Sequence, residues 1–331
     1  MAEVAQMKVL VVGQKGWIGG QMCSVLDADE NVEWVGAISR PNDKSAFEKE
    51  LEEVKPTHVM SFIGRTHGTT EDGKKWTTID YLEQPGKVYE NVRDNLFSPM
   101  VMAMYAKKYN FHLTYLGTGC IFKFDEEHPF ANEETGFAED SLPNFFGSGY
   151  STVKGFTDEM MHMMDEVMDV PCLNLRIRMP IVGTHCPRNF ITKICHYEYV
   201  CSQPNSMTVL DECLPAALKM ARQGVRGTVN LTNPGLVSHN EILDWYKEIV
   251  DPDFSYKNFS PEEQLAILAA DRSNNCLDTT RLSELCPEIS SIKDAVKVSL
   301  RGIKENIADC PAPVKQVLDE AAGDKRKRAG E

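Results

Sequence analysis

The stretch Met7-Lys-Val-Leu-Val-Val-Gly-Gln-Lys-Gly-Trp-Ile-Gly-Gly20 decides the fold. Val9 to Val12 is an apolar run of the length and β-branched character of a buried parallel strand. It runs into three glycines, Gly13, Gly16 and Gly19, and Trp17 to Leu26 then carries helical spacing. In a strand–turn–helix setting each glycine has a separate reason. Gly13 permits the tight turn, Gly16 lets backbone approach a pyrophosphate, and Gly19 lets the helix pack close to the strand. Lys15, Trp17 and Ile18 sit on the same turn and are counted with the glycines as cofactor-binding positions.

The end of the next strand, Trp34 to Ser39, selects the cofactor. A carboxylate there would bond the ribose 2′-hydroxyl of NAD. This strand ends in Ser39-Arg40, and its acidic residue, Glu33, lies at the wrong end. A hydroxyl and a guanidinium suit a 2′-phosphate, so NADPH is expected.

Working outward, strands and helices continue to alternate. A charged helix covers Ser45–Val54 and a strand Thr57–Phe62. A long helix runs from Pro85 through Asn95 to about Lys108, and a strand covers His112–Gly117. A helix at about Gly149–Met168 and a strand at Cys172–Arg178 follow. This rhythm predicts an α/β fold, a doubly wound parallel sheet, over 1–182. After Pro180 the pattern loosens. Met207–Leu210 and Thr228–Leu231 read as short strands, Ser238-x-x-Glu241 as a capping box opening a helix to Val250, and Pro261–Ala269 and Ile292–Ile307 as helices. Residues 183–320 are expected to form a smaller, mainly substrate-binding α/β region packed on the first, with some segments returning to the sheet. The tail 321–331, with its DKRKRAGE, reads as a charged disordered end.

Composition excludes several classes. At 331 residues, 42% hydrophobic and 25% charged, the chain is ordinarily globular. Thirty-five basic against 49 acidic residues give −14. That field repels nucleic-acid backbones, so no nucleic-acid partner is expected. No run reaches the ~18 apolar residues that suggest a bilayer span, and the N-terminus lacks a basic signal region. The ten cysteines are scattered, with no CxxC and no metal-type spacing. Free thiols in a reducing cytoplasm, and no metal, are expected.

The chemistry is expected at Tyr150-Ser-Thr-Val-Lys154. The i, i+4 spacing puts both side chains on one helix face. A free phenol has a pKa of ~10, and a nearby ammonium should lower it. Tyr150 then passes a proton to a carbonyl oxygen as hydride arrives at carbon. One strand and loop earlier stands Thr118. The GxxGxxG loop, Thr118, Tyr150 and Lys154 together resemble the extended short-chain dehydrogenase/reductase superfamily. There a Ser or Thr at this strand end bonds the substrate carbonyl, and an asparagine matched here by Asn95 is structural.

The likeness extends further. Thr118-Gly-Cys-Ile-Phe122, Arg176-Ile-Arg-Met-Pro180, Pro187-Arg-Asn-Phe-Ile-Thr-Lys193, Asn205-Ser-Met-Thr-Val-Leu-Asp-Glu212, Thr232-Asn-Pro-Gly235, Ser238-His-Asn-Glu-Ile242 and Arg272-Ser-Asn-Asn275 occur in order. Over about residues 8–305 the chain resembles the nucleotide-rhamnose epimerase-reductase family, including the C-terminal half of plant rhamnose synthases. The resemblance implies a bifunctional 3,5-epimerase and 4-keto-reductase. Such an enzyme converts UDP- or dTDP-4-keto-6-deoxyglucose to the L-rhamnose nucleotide with NADPH. A C4 ketone acidifies the hydrogens at C3 and C5, and inverting those centres needs a base on one face and an acid on the other. By resemblance, Cys120 and Lys193 are that pair. A thiol and a partly buried lysine can both be tuned toward neutrality.

For substrate holding, Arg272, Asn274 and Asn275 are expected at the diphosphate or base and Asn189 at the diphosphate or sugar. His67, in the loop after the third strand, is expected to line the sugar pocket. Segments 64–86 and 183–186 depart from the plant pattern, which touches substrate-edge contacts. The rivals are a 4-keto-reductase alone and a non-catalytic NADP-binding regulatory subunit. Cys120 and Lys193 speak against the first, and Thr118, Tyr150 and Lys154 against the second. A separate 4,6-dehydratase is expected to supply the ketone. A homodimer is expected through helices 85–108 and 149–168, whose methionines (Met100, Met102, Met104, Met160, Met161, Met163, Met164 and Met168) suit adaptable apolar contacts.

Overall fold

The computed structural model describes residues 6–268 and 270–306. The expected 321–331 tail lies outside the described residues. The chain opens β1 (Met7–Val12), α1 (Trp17–Asp27), β2 (Val32–Gly36), α2 (Lys44–Val54) and β3 (His58–Ser61). A hairpin of β4 (Gly68–Thr69) and β5 (Lys75–Trp76) follows, then α3 (Val88–Val92), α4 (Ser98–Tyr109) and β6 (His112–Thr118). Next come α5 (Gly149–Glu166), β7 (Cys172–Ile177), α6 (Phe190–Cys195), β8 (Tyr199–Val200), α7 (Leu210–Arg222) and β9 (Gly227–Asn230). The described chain closes with α8 (His239–Ile249), β10 (Lys257–Asn258), α9 (Pro261–Ile267), α10 (Thr280–Leu285) and α11 (Ile292–Glu305).

The main sheet has six strands in the order β2-β1-β3-β6-β7-β9, all parallel. Helices cover both faces, as buried parallel strands require. On one face Met22, Cys23 and Leu26 of α1 meet Leu210, Leu214 and Ala217 of α7. On the other, Phe47 and Leu51 of α2 pack with Val101 and Met102 of α4 and Met161 and Met164 of α5. A third apolar cluster joins Ile191 and Ile194 of α6, Ile242 and Leu243 of α8, and Val296 and Leu300 of α11. Order changes between β1's two neighbours, β2 and β3, which opens a crevice at the carboxyl ends of the strands.

Two local expectations are revised. Met207–Leu210 is not a strand. It makes a single bridge, Ile181 to Val209, and Leu210 already begins α7. Its polar groups are met elsewhere: the Val209 N–H donates to Asn233 Oδ1 (2.8 Å) and Thr208 Oγ1 to the Leu231 carbonyl (2.8 Å). With those demands satisfied, no ladder is needed. The long helix after Pro85 is interrupted by one π turn, Arg93–Phe97. That turn carries Asn95, whose amide bonds both the N–H (2.8 Å) and the carbonyl (2.9 Å) of Arg65. The Asn95 carbonyl accepts from Thr157 Oγ1 (2.6 Å). One buried residue, through its side chain on one side and its backbone carbonyl on the other, thus ties the loop after β3 to α5, the helix that carries Tyr150 and Lys154.

The methionines also divide. Met100, Met102, Met161 and Met164 are buried in the core and face the sheet. Met104, Met163 and Met168 are exposed, together with Val88, Tyr89, Val92, Phe97, Phe156 and Val167 of the same helices. No helix among the described residues is long and apolar enough to cross a membrane.

Candidate active site

Two groups of side chains gather beyond the carboxyl ends of the central strands. The first stands on β6 and α5. Thr118 ends β6, and its Oγ1 accepts the Cys120 N–H (3.1 Å). Ser148 caps α5 by accepting the Ser151 N–H (3.0 Å), which sets the first turn and presents Tyr150. Thr118 hydrogen-bonds Tyr150, and the Cys120 thiol is near enough to act on the phenol. Lys154, one turn on, is buried.

The electrostatics correct one expectation. Tyr150 is pushed above the ordinary phenol range, mainly by burial and then by the neighbouring Cys120, with Thr118 pulling the other way. Lys154 is brought down to about 8, mainly by burial, opposed by Asp158 and Cys120. Its ammonium bonds the Tyr115 hydroxyl on β6 and lies over that ring. Lys154 is therefore not holding Tyr150 as a phenolate here. A dry pocket penalises both charged forms, so Tyr150 keeps its proton, as a proton donor must.

The loop bearing Cys120 is clamped from behind. The Arg178 guanidinium donates to the Gly119 carbonyl (2.9 Å) and to Ser273 Oγ (2.8 Å). Asn275 Nδ2 donates to the carbonyls of Gly119 (2.9 Å) and Phe122 (3.0 Å). Asn205 Oδ1 accepts from both Arg178 (2.6 Å) and the Asn275 N–H (3.1 Å). All four side chains are buried. Asn275 thus departs from its expected place at the substrate: its amide nitrogen is spent on the Cys120 loop. Arg178 and Asn205 lie inside the motifs quoted above, yet nothing in their spacing distinguishes a clamp from a contact.

The second group surrounds His67. Arg188 donates to His67 Nδ1 (2.9 Å), and Thr66 Oγ1 lies 3.1 Å from the same nitrogen. A guanidinium can only donate, so Nδ1 accepts and the ring is neutral. Burial and the cations Arg188, Arg65 and Lys193 bring His67 down to about 4. Lys193, on α6, is lowered to about 8 by burial and by Arg188. His67, expected at the sugar pocket, is half-buried among these cations. Arg188 carries no carboxylate among the described residues, which leaves its charge for an anionic ligand. No hydrogen bond or ion pair joins Lys193 to Cys120 among the described residues.

The remaining substrate candidates are more engaged than expected. Asn189 is fully buried. It caps α6 through the Ile191 N–H (3.2 Å) and donates to the carbonyls of Val182 (2.8 Å) and Thr184 (2.7 Å). Every polar atom of its side chain is used, so it shapes the loop rather than meeting a ligand. Asn274 Oδ1 accepts from Asn205 (2.9 Å). Arg272 pairs with Asp80 (2.8 Å) and remains partly exposed.

The glycine loop fits a dinucleotide. Gly13 has φ +94°, a left-handed value that disfavours a side chain, and a Cβ on Gly19 would stand 2.1 Å from the Gly13 carbonyl oxygen. Gly16 caps α1 with no side-chain hydrogen bond, so the first amides of the helix remain open to a pyrophosphate. β2 ends at Gly36, short of the expected Ser39, and three residues beyond it Ser39 is not free. Its hydroxyl and N–H bond the Glu50 carboxylate from α2. The strand end that reads as free of acid receives one from the following helix. Arg40 is exposed, with no ion pair among the described residues.

No family model matches the chain. It is similar to the L780 UDP-rhamnose synthase of Acanthamoeba polyphaga mimivirus. Their structures superpose with a TM-score of 0.84 at 52% identity, covering 90% of this chain and 100% of that one. It is 40% identical over 288 residues to a bifunctional dTDP-4-dehydrorhamnose 3,5-epimerase/dTDP-4-dehydrorhamnose reductase of Arabidopsis thaliana, covering 87% of this chain and 90% of the relative. A trifunctional UDP-glucose 4,6-dehydratase/UDP-4-keto-6-deoxy-D-glucose 3,5-epimerase/UDP-4-keto-L-rhamnose-reductase of the same plant is 38% identical over 291 residues. There the match spans 88% of this chain but 41% of the relative. A dTDP-4-dehydrorhamnose reductase from Bacillus anthracis in complex with NADP shares the fold, with a TM-score of 0.70 at 15% identity, covering 88% and 98%.

Proposed function

The chain belongs to the nucleotide-rhamnose epimerase/reductase family, and on that premise we propose that it inverts C3 and C5 of a nucleoside-diphosphate 4-keto-6-deoxy-D-glucose and then reduces C4, giving the L-rhamnose nucleotide. The observation that carries this reading is the gathering of Thr118, Cys120, Tyr150 and Lys154 at the carboxyl end of β6. A reductase alone needs the threonine, tyrosine and lysine. A thiol set directly beside them is what an epimerase adds.

In this reading Thr118 and Tyr150 hold the C4 oxygen. The same contact serves both halves of the reaction, because an enolate formed at C3 or C5 places its charge on that oxygen. Cys120 and Lys193 move protons at carbon, and Tyr150 delivers one to oxygen. NADPH supplies the hydride that arrives at C4. The glycine loop Gly13–Gly19, with Lys15, Trp17 and Ile18, would hold its pyrophosphate, and Ser39 with Arg40 its 2′-phosphate. His67, Arg188 and Arg272 form the anion-facing side of the substrate pocket, with Asn274 behind them.

A 4,6-dehydratase reaction must supply the 4-keto sugar, and the trifunctional relatives carry that activity in their names. The exposed apolar face of α3, α4 and α5 is the surface for a homodimer. Light scattering should return twice the 37.2 kDa chain mass, and a monomer mass at micromolar concentration would remove this part of the reading. The nine described cysteines are all free thiols, which suits the cytoplasm. The central test is product analysis with the UDP and dTDP forms of 4-keto-6-deoxyglucose and NADPH. An L-rhamnose product supports the reading. A 6-deoxy sugar unchanged at C3 and C5 leaves a reductase only, and no NADPH consumption with either nucleotide leaves a binding protein.

A further inference from the structure

β2 ends at Gly36, and the Ala37 N–H still bonds the Val11 carbonyl (2.8 Å). The next two amides, of Ile38 and Ser39, point away from the sheet with no strand to accept them, and unpaired backbone donors are costly to leave. Both are taken by one carboxylate. Glu50, on the second turn of α2, accepts the Ile38 N–H on one oxygen (2.7 Å) and the Ser39 N–H on the other (2.9 Å). The Ser39 hydroxyl donates to the second oxygen as well. Asp43 caps α2 through the Ala46 N–H (3.2 Å), and its own N–H bonds the Arg40 carbonyl (2.9 Å). The turn 40–43 is thereby fixed, and the helix brings Glu50 back to the strand end. Gln14 of the glycine loop closes the other side: its amide donates to the Ala37 carbonyl (3.0 Å) and lies against Gly36.

Two backbone amides and a hydroxyl converging on one group make an anion cradle. Its position, just past the second strand beside the glycine loop, is where the adenosine ribose of a dinucleotide lies. Arg40 adds an exposed, unpaired cation next to it, and Ile38, 95% exposed, adds an apolar surface. We propose that Glu50 is an internal anion seated in the cradle for the adenosine 2′-phosphate, and that it sets how strongly the chain prefers NADPH to NADH. The inference rests on the cofactor reading above and adds a residue to it.

The two cofactors meet the seated carboxylate differently. The 2′-hydroxyl of NADH can donate to it, so Glu50 stays in place and contributes. The 2′-phosphate of NADPH needs the same donors and carries like charge, so Glu50 must leave first. Affinity for NADPH is then reduced by the fraction of molecules in which the cradle is open. Glutamine at this position keeps the shape but not the occupancy. It loses the charge, and its NH₂ faces an N–H donor where an acceptor is needed. Glu50→Gln should therefore empty the cradle in favour of phosphate while giving NADH nothing.

The test is calorimetric titration of the full chain and of Glu50→Gln and Glu50→Ala with two half-cofactors, 2′,5′-ADP and 5′-ADP. The first carries a 2′-phosphate and one 5′-phosphate, the second a free 2′-hydroxyl and a 5′-diphosphate, and neither engages the catalytic groups, so each probe is compared between the native chain and the variants. Both variants should bind 2′,5′-ADP about tenfold more tightly than the native chain, the scale of one charge-assisted hydrogen bond exchanged. Their affinity for 5′-ADP should be equal or lower. Thermal unfolding of each variant serves as the check on folding, and the two substitutions keep the test independent of either one failing it. The proposal is overturned if 2′,5′-ADP binds no more tightly to the variants, or if 5′-ADP tightens equally. If neither probe binds the native chain or either variant, the NADP reading falls as well, which separates the two failures.

Discussion

Loop 119–122, with Cys120, rests on four buried side chains, Arg178, Asn205, Ser273 and Asn275, which bond one another and the loop carbonyls. Lys193 rides on a six-residue helix whose electrostatic neighbours are Arg188 and Cys186, with His67 sensing all the local cations. The proposed proton-transfer partners are thus built in opposite ways. Cys120 is positioned by a hydrogen-bond network in which the buried Arg178 guanidinium meets only neutral oxygens, and which fixes geometry. Lys193 is tuned by burial and by uncompensated positive charge. A rigid mount serves a group that must reach a particular carbon, whereas a cationic surrounding lowers an ammonium pKa and draws a diphosphate into place.

The sharpest way to break this comparison starts from the residue common to both half-reactions. Tyr150→Phe should lower the rate of C4 reduction by about 10²–10⁴, the usual contribution of a positioned general acid. Exchange at C3 and C5 should survive slowly, because Thr118 still meets the C4 oxygen. Stopped-flow NADPH absorbance reads the first effect, and proton NMR in deuterated water reads the second. Complete loss of both would mean that Tyr150 carries the enolate alone.

Cys120→Ala should abolish inversion on a similar scale, again about 10²–10⁴, while the clamp behind the loop and the glycine loop stay intact. In deuterated water the native chain should place deuterium at C3 and C5 of the rhamnosyl product, and the variant should form little rhamnose. A normal rhamnose yield would return Cys120 to a filler at a strand end.

Lys154→Met addresses the buried cluster itself. The Lys154 ammonium, lowered to about 8 by burial, binds fewer protons in the folded than in the unfolded chain. Its handicap to stability is therefore full below pH 8, shrinks as pH rises, and is gone above its unfolded pKa near 10.5. The methionine variant should lose reduction yet unfold at higher denaturant at pH 7. The gain is at most about 3 kcal/mol, less whatever the lost Tyr115 bond contributed. The difference from the native chain should narrow between pH 8 and 10. A gap that stays constant with pH would show that Lys154 is not held near neutrality.

Much of this was legible from the residues alone, for reasons that differ by position. The first strand, its glycine turn and YxxxK are local patterns whose spacing dictates a geometry, so fold and reduction site follow from them. Cys120 and Lys193 have no such pattern, and only resemblance brought them forward. Arg178, Asn205 and Asn275 were hidden because a buried asparagine that clamps a loop reads like one that meets a ligand. Glu50 was hidden for a different reason. It lies eleven residues after Ser39, and nothing short of the angle of α2 on β2 shows that its carboxylate returns to the strand end.

The smallest expected effect sharpens the Lys193 side. Arg188 lowers the Lys193 pKa and, without a carboxylate partner among the described residues, bonds His67. Arg188→Met removes that charge while keeping an unbranched apolar stem in the half-buried site. The Lys193 ammonium should then rise from about 8 toward the ordinary lysine range, and the neutral His67 should titrate at higher pH. The pH profile of C3 and C5 exchange should therefore move to the alkaline side. The shift should be a fraction of a unit, because burial is the larger cause and remains. Substrate affinity should fall together with it, less than tenfold, if Arg188 also meets the diphosphate. An unchanged profile with weaker binding would make Arg188 a ligand contact alone. An alkaline shift with unchanged binding would make it a tuning residue alone, and either result separates two roles that one guanidinium combines in the present reading.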